Sequence, residues 1–204
     1  MERLIETLIC KLFRNRMISI EQKEIYAYGA ALIVTTSMGF ISILLVSILF
    51  FSVFDGILFL TVFSSIRVCA GGYHCKTYFA CFLVSNAIFL TVMIIAWALS
   101  FLPTMVILVL NSLLILFSWL YIVLQAPVLP TNHSLSEKKI QKNRAKARAY
   151  SSTITLLGMG SILLFRHSNI ALHYFTILAL TQTTIAGLMQ FEKTERRKEN
   201  ARNN

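Results

Sequence analysis

The sequence predicts an all-α polytopic membrane protein with about six transmembrane helices and an N-terminal amphipathic helix lying in the membrane interface. Three observations predict it. Of the 204 residues, 56% are hydrophobic and 14% are charged, whereas an ordinary soluble domain carries about 25% charged residues. The charges are also segregated, so that residues 25–54 hold only uncharged side chains, as do residues 56–66. Uncharged apolar tracts of roughly 18 residues or more are long enough to cross a bilayer. Finally, of the 19 Lys and Arg, every one except Arg166 falls in segments 1–25, 67–76, 125–148 and 191–204. With six alternating spans these segments share one side, which the positive-inside rule makes cytoplasmic, together with both termini.

The elements follow in order. In "MERLIETLICKLFRNRMISI", Leu4, Ile5, Leu8, Ile9, Leu12 and Phe13 recur at helical spacing, while Arg3, Glu6, Lys11 and Arg14 lie off that stripe. Residues 1–24 therefore read as an interfacial helix. They do not read as a secretory signal, because Glu2 and Glu6 occupy the place of a basic n-region. The long uncharged tract is divided into spans at 26–46 and 49–68 with a turn within 47–52, since fusing them would carry the basic 125–148 segment to the outside. Asp55 then lies near the outer interface, where a carboxylate is tolerated. Further spans are expected at 77–101, 104–124, 149–165 and 169–190, with Pro103 turning the third into the fourth. The whole chain, 1–204, is one membrane domain. Spans one to four occupy 26–124 with a bend at 67–81. A basic cytoplasmic loop covers 125–148, spans five and six fill 149–190, and a basic tail runs over 191–204.

The net charge of +10 does not point to nucleic acid. The basic residues sit beside spans, where they set topology or meet the headgroups of the lipid bilayer. Lys138, Lys139, Lys142, Arg144, Lys146 and Arg148 anchor topology on the plainest reading, and on a sharper one steer an acidic substrate tail. The tail cations Lys193, Arg196, Arg197, Lys198 and Arg202 interleave with Glu192, Glu195 and Glu199 as on a solvated helical end. Cys10, Cys69, Cys75 and Cys81 form neither a secreted disulfide framework nor a C-x-x-C pair. Zinc is not expected, because the thiols and His74, His133, His167 and His173 lack ligand spacing, and the sequence calls for no cofactor.

Chemistry concentrates in "RVCAGGYHCKTYFAC", residues 67–81. On the cytoplasmic side its thiols stay reduced. Gly71 and Gly72 break any helix running on from the second span, and irregular backbone at this depth survives only where protein or water satisfies it. A cysteine nucleophile needs a thiolate and an imidazole that exchanges its proton; Arg67, Lys76 and a protonated His74 would favour the anion. Cys75 adjoins His74, but consecutive helical side chains point about 100° apart. Cys81 returns to within about 20° of the same face, yet seven residues rise about 10.5 Å. A Cys81–His74 pair therefore requires His74 to sit on the Gly-Gly bend, folded back over the start of the third span. The plainer alternative is that these thiols are packing groups. Asn86, about 140° round the helix from Cys81, is poorly placed to orient an imidazole. Asn111, Thr181, Gln182, Thr183 and Thr184 are expected to hydrogen-bond between helices.

Arg67, then Gly71, Gly72, Tyr73 and His74, then Cys81 resembles the signature of the accessory gene regulator B (AgrB) family. The six-span layout, the amphipathic N-terminal segment and "QAPVLP" at 125–130 before a basic segment are similar too, so the resemblance covers nearly the whole chain. It implies a membrane cysteine endopeptidase, as found in Gram-positive bacteria, that processes a short quorum-sensing propeptide of the AgrD type. It further implies Cys81 as nucleophile, His74 as its partner, and supporting roles for Arg67, Gly71 and Gly72. Homodimerisation is implied by the resemblance alone. Cys75 departs from the pattern by placing a second thiol beside the imidazole. Two non-enzymatic readings stand beside this one, a peptide exporter and an interaction subunit. The exporter is disfavoured because the spans carry no row of ionisable residues and the sequence has no ATP-binding motif.

Overall fold

The computed structural model describes residues 20–71, 77–128, 137–165 and 168–203. Among them the chain forms six α-helices: α1 (Ile20–Phe50), α2 (Val53–Ala70), α3 (Tyr78–Leu99), α4 (Thr104–Gln125), α5 (Glu137–Phe165) and α6 (Asn169–Asn203). Five segments, Gly29–Phe50, Val53–Ala70, Phe79–Leu99, Thr104–Gln125 and Asn169–Glu199, are long and apolar enough to cross a bilayer. The protein is thus an all-α, multi-pass membrane protein. Helix α5 stands apart from those five by composition, because its first turns read "EKKIQKNRAKAR". It nevertheless runs through the same layer, antiparallel to α4. Arg148 Nε donates to Val123 O (3.0 Å), Trp119 Nε1 donates to Ser152 Oγ (2.9 Å), and Gly158 faces Ile115.

Helices α4 and α6 run parallel, as the pairs Asn111–Thr176, Tyr121–Gln190 and Gln125–Lys193 require. Helix α6 is the centre of the bundle and packs on α2, α3, α4 and α5, whereas α1 packs on α2 and α3 at the periphery. Phe59, Phe89, Ile66, Ile177 and Met189 fill the core, and the Phe59 ring lies 5.1 Å from Phe63 and 5.2 Å from Phe89. Lipid is as apolar as these side chains, so polar contacts add specificity between helices. Gln182, fully buried, donates to Ser151 Oγ and Thr155 Oγ1 (both 3.2 Å), tying α6 to α5. Asn111 Nδ2 donates to Thr176 Oγ1 at 2.7 Å, tying α4 to α6.

The boundaries differ from expectation in three places. Helix α1 runs through Ser47 to Phe50, and Phe51 and Ser52 alone make the turn. Ser47 serves instead as a helix-borne clasp: its Oγ donates to Ser52 O and accepts from Gly56 N–H at 2.9 Å. Second, the basic segment expected as a loop up to residue 148 is helical from Glu137, because Lys, Arg, Gln and Ala are strong helix formers. Third, the span and the tail form one unbroken helix: α6 continues to Asn203 as the solvated helical end expected there, supported by Glu192–Arg196 (3.1 Å) and Glu195–Lys198 (2.9 Å) pairs one turn apart. Residues 1–19 of the expected interfacial helix lie outside the described residues, and 20–24 continue directly into α1.

Asp55, expected near the outer interface, stands in the first turn of α2 and is 4% exposed. Its Oδ2 accepts from Ser52 N–H at 3.1 Å, closing a capping box at the start of α2, and its Oδ1 lies 3.3 Å from His173 Nε2 on α6. A cavity of about 230 Å3 opens at this end of the bundle, lined in part by Ser100, Thr104, Asn169, His173 and Thr176.

Candidate active site

Cysteine 81 lies at the other end of α3 from that cavity. Thr77 is the N-cap of α3: its backbone is extended, its side-chain Oγ1 accepts from Ala80 N–H at 3.2 Å, and Cys81 N–H closes the first turn onto Thr77 O at 3.1 Å. A threonine hydroxyl at this position satisfies one of the donors that a helix start leaves unpaired. The Cys81 thiol is therefore held on a regular turn near the positive end of the helix, reduced and half-buried. Cys69, by contrast, is 6% exposed and belongs to the core between α2 and its neighbours, a packing position.

Helix α2 delivers the other side of the bend. Arg67 stands in its last turn, where a cation complements the helix C-terminus, with its guanidinium carbon 5.1 Å from the Phe63 ring centroid. Gly71 ends the helix with φ 75°, and its N–H closes onto Arg67 O at 3.0 Å. A left-handed backbone of this kind is cheap only for glycine. There is a second reason for glycine here, since a Cβ at 71 would run into the carbonyl oxygen of Val128.

Val128 belongs to the segment after α4. Its N–H donates to Ala70 O at 2.8 Å, pairing Gly71 and Val128 as a parallel β-bridge. Ala126 and Val128 are 2% and 9% exposed, and both join the core cluster that includes Cys69 and Ala70. The start of the bend, at Ala70 and Gly71, is thus buttressed from residues 126–128, a contact that spacing along the chain does not reveal. The Ala126–Pro127 peptide is cis.

The structure brings Arg67, Gly71 and Cys81 to one end of the bundle. Gly72, His74 and Cys75 lie outside the described residues. Asn86 is committed elsewhere, as its amide donates to Phe82 O and accepts from Ser42 Oγ of α1, both at 2.9 Å. Lys138, Lys139, Lys142, Arg144, Lys146 and Arg148 are all exposed on α5 at this same end. Arg148 is partly spent on capping α4 through Val123 O, and Lys193 of α6 donates to Gln125 Oε1 at 2.6 Å.

The family model described as accessory gene regulator B matches residues 5–188. No curated protein and no solved structure matches the chain. The matched stretch takes in the bend, the Ala126–Val128 buttress, α1 to α5 and most of α6. The chain belongs to the accessory gene regulator B (AgrB) family, and its role lies in quorum-sensing peptide processing.

Proposed function

We propose that the protein is a membrane-embedded cysteine endopeptidase acting on a short propeptide of the AgrD type, at the cytoplasmic face of the bacterial cell membrane. What supports this reading above all is Cys81, a reduced, half-buried thiol in the first turn of α3, at the basic end of a bundle with this family membership. His74 takes the Cys81 proton, and the thiolate attacks a carbonyl near the C-terminal segment of the propeptide. The tetrahedral intermediate collapses as His74 returns the proton to the leaving amine, and the N-terminal portion stays on Cys81 as a thioester. A Cys or Ser side chain of the substrate then attacks that thioester. The acyl group passes to the new sulfur or oxygen, its proton returns through His74 to Cys81, and a thiolactone or lactone ring is released. A thioester roughly preserves acyl activation, so the ring closes without an added energy source provided water is kept out, which enclosure by the helices serves. The basic residues of α5 gather a negatively charged substrate tail.

The test is co-reconstitution in liposomes with a candidate propeptide, read by mass spectrometry. Cys81→Ala is expected to abolish cleavage and the enzyme-linked acyl adduct, while Cys75→Ala retains both. Normal cleavage by Cys81→Ala, with loss in Cys75→Ala, would reassign the nucleophile.

A further inference from the structure

The contact between Val128 and the end of α2 has a role that the chemistry above does not use. The segment carrying Val128 is held firmly at its root. Ala126 N–H closes α4 onto Ile122 O at 2.9 Å, and Arg148 of α5 and Lys193 of α6 bind Val123 O and the Gln125 side chain just before it. Tyr121 and Gln190 join α4 to α6 one turn earlier. From this three-helix anchor the chain crosses to α2, where Val128 N–H meets Ala70 O and the Val128 carbonyl oxygen fills the place a Cβ on Gly71 would take. Both partners are inside the core.

The geometry points to Val128 as a positioning residue that fixes where the bend 67–81 leaves α2. The argument is one of degrees of freedom. A segment leaving a helix through a left-handed glycine has little intrinsic direction, because glycine takes positive and negative φ about equally well. A hydrogen bond to the last helical carbonyl and a carbonyl oxygen set where that glycine's side chain would stand select one exit direction. The start of α3, on the other side of the bend, is fixed separately by the Thr77 cap. Two fixed ends define the span that the intervening residues, His74 among them, must bridge. Val128 thereby acts through the bend, without itself touching substrate. This rests on the reading of Cys81 and His74 as the reacting pair, and it assigns to the segment after α4 the task of aligning them. It also gives the close pairing of Gly71 with residue 128 a purpose beyond helix termination.

The test uses the full-length protein in liposomes with the propeptide. Val128→Pro deletes the N–H that Ala70 O receives, whereas Val128→Ile keeps it. For Val128→Pro, kcat is expected to fall about 100-fold, the scale of an ångström-sized misplacement of reacting groups, with KM held within about twofold and the protein still folded, at a lowered melting temperature. Val128→Ile is expected to process at the wild-type rate. If Val128→Pro does not assemble, Gly71→Ala, which puts a methyl against the Val128 carbonyl, is read in its place with the same expectation for kcat. A wild-type kcat per folded molecule in the variant so read overturns the positioning role. Cys81→Ala runs in parallel: full cleavage there overturns the reading of the site itself, whereas an inactive Cys81→Ala beside an active Val128→Pro overturns only the role given to Val128.

Discussion

Glycines that look alike in the sequence do different work at the level of single residues. A Cβ on Gly56 would stand 2.8 Å from both Cβ and Oγ of Ser47, so α1 and α2 approach as closely as they do because residue 56 has no side chain. The obstacle is the root of a short side chain already holding Ser52 O and Gly56 N–H, and it has nowhere to swing. Gly160, in contrast, has nothing within 4 Å of an added Cβ. Gly56→Ala is therefore expected to destabilise the bundle by about 1–3 kcal/mol, the cost of overpacking. Gly160→Ala is expected to be neutral or to add up to about 1 kcal/mol through helix propensity. Equilibrium unfolding in mixed micelles, followed by tryptophan fluorescence, separates the two. Gly71 joins the first kind for a different reason, its positive φ and the Val128 carbonyl. None of this was legible in the sequence, which shows where a glycine stands but not which helix comes near it.

At the scale of elements, the spans were legible because charge segregation and tract length depend on the solvent, and that signal survives without any knowledge of packing. The faces were not legible. Helices that are apolar all round give no stripe to read, since side chains facing lipid and side chains facing protein satisfy the same requirement. Polar residues inside the spans were the only markers of inward faces, and they served unevenly. Asn111 and Gln182 do bridge helices as their composition suggested. Thr183 Oγ1 reaches Leu114 O of α4 at 3.4 Å as well as Ala179 O of its own helix at 2.7 Å, whereas Thr184 donates to Thr181 O of its own helix at 2.7 Å. Thr181 Oγ1 is buried with no hydrogen-bond partner among the described residues. The neighbours Thr181 and Gln182 are thus expected to respond in opposite directions. Gln182→Leu removes the tie between α6 and α5 and should cost about 1–2 kcal/mol, whereas Thr181→Val should be neutral or stabilising because it deletes an unsatisfied group. Equal losses in the same micelle unfolding assay would show that burial rather than hydrogen bonding sets the value of Gln182.

At the scale of the whole molecule, the bundle has two unlike ends. One carries the Asp55–His173 pair and the cavity between the starts of α4 and α6; the other carries Cys81, Gly71 and the basic projections of α5 and α6. The sequence made this polarity legible through the clustering of Lys and Arg, but it presented the α5 cations as loop charges of equal standing. A helix sorts them. At about 100° per residue, Lys138, Lys139, Lys142 and Lys146 fall on one exposed side, while Arg144 and Arg148 fall on another, and Arg148 already caps α4 through Val123 O. On the proposed function, steering of a charged substrate falls to the lysine stripe, whereas Arg148 serves the packing of α5 on α4. Neutralising Lys138, Lys142 and Lys146 together to Gln is expected to raise KM roughly three- to tenfold and to flatten its salt dependence, with kcat unchanged, as loss of long-range attraction should. Arg148→Gln is expected instead to lower the unfolding midpoint and leave the salt dependence of KM in place. Both are read from initial rates of propeptide cleavage between low and physiological ionic strength. A lysine-stripe variant with the wild-type KM and salt slope would leave those charges the single task of orienting the protein in the bilayer.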